Sequence, residues 1–255
     1  MSKKIEQYRQ ALQALEEWDD YLLAQSGLPG PRGNLELAQV VAELGDEERL
    51  RRYFALGPEK APTNSPQEFL VFCGVLGLGR LLAEGRRDVL EELRRFAADP
   101  RWRTREAVAM ALQRAGAADM DHLLQIASSW SQGSHWEQRA AVAAVCEPAL
   151  LVDENHASRV LDLLNVVTAS MPEATDRRDS GFKTLRQALG YCWSVAVVAL
   201  PENGKQLFEM WLDNGDPDLQ WLVRENLRKK RLQRMDPAWV AACRRRAGLQ
   251  PAGSS

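Results

Sequence analysis

Histidine and cysteine are scarce in this sequence, with three and four residues among 255. His122, His135 and His156 do not fall at i and i+4, and no Cys/His/Asp cluster has the spacing of zinc ligands, so no metal centre is expected. Cys73, Cys146, Cys192 and Cys243 lie far apart in apolar stretches without a CxxC pair. They read as buried free thiols, not as a disulfide frame. Stretches alternating apolar and polar residues between hairpin turns are missing, which removes the signal for strands. The longest apolar run, FLVFCGVLGLGRLLA at 69–83, is interrupted by Arg80 and falls short of the roughly 20 residues a membrane span needs. It reads as a core helix, and no membrane partner is expected. The N-terminal MSKKIEQYRQALQALEEW lacks the apolar core and cleavage site of a secretory signal, which points to the cytoplasm. GVLGLG at 74–79 has no preceding strand and no Lys-Ser pair, so its glycines suit tight helix packing better than phosphate binding. No nucleophile elbow is present and no cofactor is expected. A net charge of −2 argues against a chain coated in positive charge for nucleic acid, and leaves room for a local patch.

What is there is helical periodicity almost throughout, so the fold class expected is all-α. The spacing predicts helices over 3–25, 34–44, 46–56, 66–84, 88–98, 101–115, 119–132, 135–146, 154–171, 180–200, 202–213, 217–231 and 237–247. Several starts carry a mechanism. In NSPQEF, Ser65 can cap the free amides, Pro66 sits where no amide is missed, and Glu68 completes a capping box. Asp99-Pro100, Asp216-Pro217 and Asp236-Pro237 repeat the logic with a carboxylate at the positive end of the helix dipole. Links of two to six residues force such helices to pack as antiparallel neighbours.

A tryptophan three positions before an arginine recurs in DPRWRTREAVAMALQR, HWEQRAAVAAV and DPDLQWLVRENL, giving Trp102/Arg105, Trp136/Arg139 and Trp221/Arg224. FKTLRQALGYCW at 182–193 is a weaker copy centred on Arg186. Arg105 and Arg139 are 34 residues apart, and Arg186 and Arg224 are 38 apart, close to the period of two-helix repeats. Alanines at 107, 109, 111, 140, 141, 143 and 144 allow the close approach that stacked hairpins need.

DPRWRTREAVAMAL and DPDLQWLVRENL resemble HEAT repeats, whose second helix opens with an Asp-Pro turn and carries an arginine ahead of an alanine-leucine core. The resemblance covers about 99–231 and implies a right-handed α-solenoid of HEAT-like helical hairpins, an α-α superhelix of about six units. On this reading 1–247 is a single solenoid, with 1–98 an atypical N-terminal helical cap and 232–247 a terminal helix; 248–255 is a flexible tail. Within that superfamily, WEQRAAV followed by FKTLRQALGYCW is most similar to the HEAT-like DNA alkylation repair glycosylases, which cradle damaged duplex on tryptophans and basic residues. Those enzymes depend on an aspartate beside tryptophans in the repeat before the one that WEQR opens. Here that stretch reads HLLQIASSWSQGSHW, with Trp130 and no acid. Asp119 and Asp121 precede HLLQIA where capping acids sit, and no catalytic residue is carried over.

Residues at i and i+3 share one side of a helix, so stacked repeats would align the Trp/Arg pairs in a column able to hold phosphates on arginine forks and bases or side chains on indoles. The competing reading ties each arginine to the acid or backbone of a neighbouring turn and fills the gaps between repeats with tryptophan. The concave-face binding residues expected are therefore Trp102, Arg105, Trp136, Arg139, Arg186, Trp221 and Arg224. Basic clusters occur at Arg94, Arg95, Arg101 and Arg103, at Arg228, Lys229, Lys230, Arg231 and Arg234, and at Arg244 to Arg246. Arg228, Lys229, Lys230 and Arg231 are the candidate phosphate contacts, against the alternative of solvated helix ends. GLPGPRGN, with three glycines and two prolines, is either a ligand-binding rim or a shaped turn, and Arg32 and Asn34 are its informative side chains. The function expected is a non-catalytic binding scaffold for nucleic acid or an acidic partner. The alternatives are a DNA-repair glycosylase and a protein adaptor indifferent to DNA.

Overall fold

The computed structural model describes residues 3–249, so residues 250–255 of the expected tail lie outside the described residues. Helices dominate, and no strand occurs among the described residues. The chain divides into two compact units, Met1–Ala118 and Asp119–Ser255.

The first unit holds α1 (Lys3–Gln13), α2 (Asp19–Gln25), α3 (Leu35–Leu44), α4 (Glu47–Phe54), α5 (Pro66–Ala83), α6 (Val89–Phe96) and α7 (Trp102–Ala118). The apolar run read as a core helix is α5, which packs against α2, α3, α4, α6 and α7. By length and composition it is apolar enough to cross a membrane, and most of it is buried inside this unit. A helix apolar all round has to be covered all round. At Gly79 an added methyl would stand 2.4 Å from the Ala111 carbonyl oxygen, so the glycines of GVLGLG serve close helix packing here. Arg80 keeps its charge at the edge of the core by donating to the carbonyls of Ala42 (3.0 Å) and Gly45 (2.7 Å), which ends α3.

The second unit holds α8 (Met120–Trp130), α9 (His135–Val145), α10 (Glu154–Ser170), α11 (Ser180–Ala199), α12 (Pro201–Glu209), α13 (Pro217–Leu227), α14 (Lys230–Met235) and α15 (Pro237–Arg246). Successive helices contact one another as hairpins: α8 with α9, α10 with α11, α11 with α12. Alternate helices contact as well, α9 with α11 and α11 with α13 on one side, α8 with α10 and α10 with α12 on the other. The result is two layers of helices with Trp193 and Phe208 buried between them. Trp193 is fully buried and satisfies its indole N–H on the Thr168 hydroxyl at 2.9 Å.

Capping follows the expected logic at Ser65, Asp119, Asp216 and Asp236, each of which accepts from amides of the turn it opens. Ser134 and Glu137 complete a capping box on α9. The box expected at Ser65 is corrected: Glu68 accepts instead from the amide of Asn64, at 2.7 Å, and pairs with Arg103. Two expected helices are also broken. The 3–25 segment ends α1 at Gln13, because the indole of Trp18 folds back to donate to the carbonyls of Leu12 (2.9 Å) and Leu15 (3.2 Å). The Arg49 guanidinium stacks on that indole 4.3 Å from its centroid. The 217–231 segment turns after Leu227, where the buried Asn226 joins α13 to α11. Its amide donates to the carbonyls of Leu189 and Leu222, and its oxygen accepts from the Ser194 amide.

Candidate functional site

In the first unit Trp102 stands at the start of α7 and is 46% exposed, while Arg105 donates to the backbone carbonyls of Asp99 (2.6 Å) and Pro100 (3.0 Å). The arginine thus ties its own turn, and the guanidinium over Trp102 is that of Arg103, 4.3 Å from the ring centroid. The basic cluster expected at Arg94, Arg95, Arg101 and Arg103 is corrected. Arg101 and Arg103 are buried, the first held by an acid of its own turn and the second by one brought from α5. Arg101 makes a two-pronged pair with Asp99 and donates to the Leu56 carbonyl at 3.0 Å; Arg103 pairs with the fully buried Glu68 at 3.1 Å. Cations buried in this way are structural partners, since desolvation is tolerated only with satisfied counter-charges.

In the second unit Trp136 is half-buried and Arg139 is buried on α9. Arg186 reaches from α11 to the ring of Trp221, 3.9 Å from its centroid, and to Asp218 at 2.8 Å. Arg177 adds pairs to Asp216 (2.6 Å) and Asp218 (3.1 Å), so the acids that open α13 anchor it to the preceding chain. The hydrogen bond to Asp216 holds the Arg177 guanidinium firmly protonated. Arg224, half-buried, borders a shallow cleft shared with Asp213 and Arg246, whose charges pair with each other.

The candidate phosphate contacts separate on folding. Arg228 is exposed and pairs with Glu225 at 2.6 Å along the same helix. Lys229, Lys230 and Arg231 come together with Arg234 along a cleft of about 580 Å³, whose apolar side is formed by Pro148, Leu151, Val195, Val198 and Ala199. No acid lines it. Arg231 stacks over the Tyr191 ring at 4.6 Å and donates to its hydroxyl at 3.0 Å, whereas Lys229, Lys230 and Arg234 carry no ion pair or side-chain hydrogen bond among the described residues. The turn after Leu227 creates this arrangement, because it folds the RKKR run back over the end of α11. Continued as one helix, the run would present its charges around a cylinder. Arg234 and the valines of α11 are the site residues that sequence reasoning left unassembled.

The thiols of Cys73 and Cys146 are pushed well up by burial, which disfavours the thiolate, and Cys243 is pushed up to about 11 by the same cause. No three His, Cys, Asp or Glu side chains gather as a metal site among the described residues. Asp119 caps α8, and Asp121 pairs with Arg159 and stands 3.8 Å from His156. No family model, curated protein or solved structure matches the chain.

Proposed function

We propose that the chain is a non-catalytic binding scaffold of HEAT-like helical hairpins, whose second unit holds an acidic protein segment in the cleft between α11 and α14. The observation that carries this reading is the cleft itself: four cations with no acid among them, beside an apolar floor. A segment carrying several Asp or Glu around one or two apolar side chains meets both halves of that surface. Its carboxylates find Lys229, Lys230 and Arg234 already unpaired, so no internal ion pair has to be broken first. The two-layered packing of α8 to α13 and the Asp-Pro start of α13 support the repeat reading, and a solenoid with a cytoplasmic location is part of the same proposal.

Nucleic acid is the second reading, favoured by the concentration of unpaired lysines and arginines in place of the mixed charge found elsewhere. Anisotropy separates the two. A labelled acidic peptide with interspersed leucines and a labelled DNA duplex, intact or alkylated, are each titrated at two salt concentrations. Peptide binding that weakens in Lys229→Gln/Lys230→Gln/Arg234→Gln supports the first reading. Duplex binding that falls steeply with salt moves nucleic acid to the front. Binding of neither at low salt overturns both.

A further inference from the structure

The loop at 26–34 is a built element, and it roofs a second cleft that lies wholly within the first unit. Gly27, at φ 73, turns the chain left-handed; Asn34 closes the loop by donating from its amide to the Ser26 carbonyl at 2.9 Å and caps α3 with its side chain. The tip is clamped at Gly30, whose N–H donates to Asn64 at 3.1 Å and whose carbonyl accepts from Arg103 at 2.7 Å. Beneath it the cleft measures about 240 Å³ and is walled by Phe69 and Phe72 of α5 and by Trp102 of α7. Phe69 and Phe72 are almost fully buried, yet Trp102 is the most exposed of the large aromatics. Trp102 is also backed on one face: the guanidinium stacked on it is that of Arg103, itself fixed by Glu68 and the Gly30 carbonyl. An exposed indole propped in place at the mouth of an apolar cleft is a preformed wall, for which the entropy of ordering has already been met in folding.

Charge narrows what such a cleft would take. Arg32, exposed at the rim, carries no ion pair or hydrogen bond among the described residues, and it presents a planar fork suited to a carboxylate. Arg103, which lines the same cleft, is already paired with Glu68, so Arg32 is left to meet a single carboxylate. Apolar cavities of about 150 Å³ accept benzene, so this cleft has room for a larger ring system. We propose that the cleft under the 26–34 loop binds a small aromatic monocarboxylate, with its rings against Phe69, Phe72 and Trp102 and its carboxylate on Arg32. This site is independent of the basic cleft of the second unit, and either can fail alone.

The test is calorimetric titration of the full chain with 2-naphthoate and with its neutral amide, 2-naphthamide. Saturable binding of naphthoate is expected, about tenfold tighter than the amide, as a charged hydrogen-bonded contact implies. Arg32→Gln should erase that difference, and Trp102→Ala should weaken both ligands about tenfold through loss of the stacking wall. Both side chains are exposed, so unchanged thermal unfolding of the two variants would show that the loss is one of binding. Absence of saturable binding, equal affinity for acid and amide, or affinities untouched by either substitution would overturn the proposal. Tighter binding of 2-naphthyl phosphate than of naphthoate would overturn the monoanion assignment.

Discussion

Two basic clusters, one in each unit, meet opposite fates. In the first, Arg101 and Arg103 turn inward and meet Asp99 and Glu68, so that charge becomes part of the core. In the second, Lys229, Lys230 and Arg234 remain on the surface of a cleft that no acid lines among the described residues. The runs are similar on paper, and the difference lies in where the acids stand. Glu68 sits 35 residues before Arg103 and is brought to it by the packing of α5 on α7, while the nearest acid to the RKKR run, Glu225, engages only Arg228. A basic cluster therefore reports a binding surface only once its counter-charges have been located.

The largest effect expected from breaking this contrast is on the buried pair. Arg103→Ala strands Glu68 without its counter-charge and should destabilise the first unit by about 3 to 5 kcal/mol, measured by urea unfolding together with hydrogen exchange of the α5 and α7 amides. A cost below about 1 kcal/mol would show that water reaches Glu68. Asn226→Ala comes next in size. It removes two buried hydrogen bonds that link α13 to α11 and one within α13, and should cost the second unit about 2 to 3 kcal/mol in the same assay. Replacing Lys229, Lys230 and Arg234 by glutamine should change stability by no more than about 0.5 kcal/mol for each residue, because none has a partner to lose. A large drop in melting temperature there would make the run structural after all.

The smallest effect is on pH. The Lys205 ammonium, hydrogen-bonded to Asp236, and the Trp239 amide hold that carboxyl below the usual carboxylate range. A lowered native value means that the contribution is complete above the unfolded value of about 4 and is lost as pH falls through the native one. Asp236→Asn should therefore flatten the acid limb of the stability curve below about pH 4, as followed by thermal unfolding across pH. An unchanged limb would show that Lys205 contributes nothing.

Helix starts were the most legible part of the fold, because a cap is a local device: Ser65, Asp119, Asp216 and Asp236 satisfy amides two or three residues ahead. The core helix at 66–83 was legible from its apolar run for the same reason. The breaks before Asp19 and after Leu227 were not, since neither contains glycine or proline. Each depends on a buried side chain, Trp18 or Asn226, finding carbonyls to donate to. The sites were legible in pieces. Trp102, Arg32 and the RKKR run stood out as residues, but Arg103 propping Trp102 and α14 folding over the valines of α11 are tertiary facts with no local signal.

The buried pair of Glu68 and Arg103 also sorts the chain's guanidinium groups by reactivity. An arginine-selective dicarbonyl reagent needs an approachable guanidinium, so Arg32 should be labelled early, while Arg101 and Arg103 wait for the first unit to open. The order in which adducts accumulate would follow the inward or outward turn of each arginine, on a protein whose sequence places all three within one class.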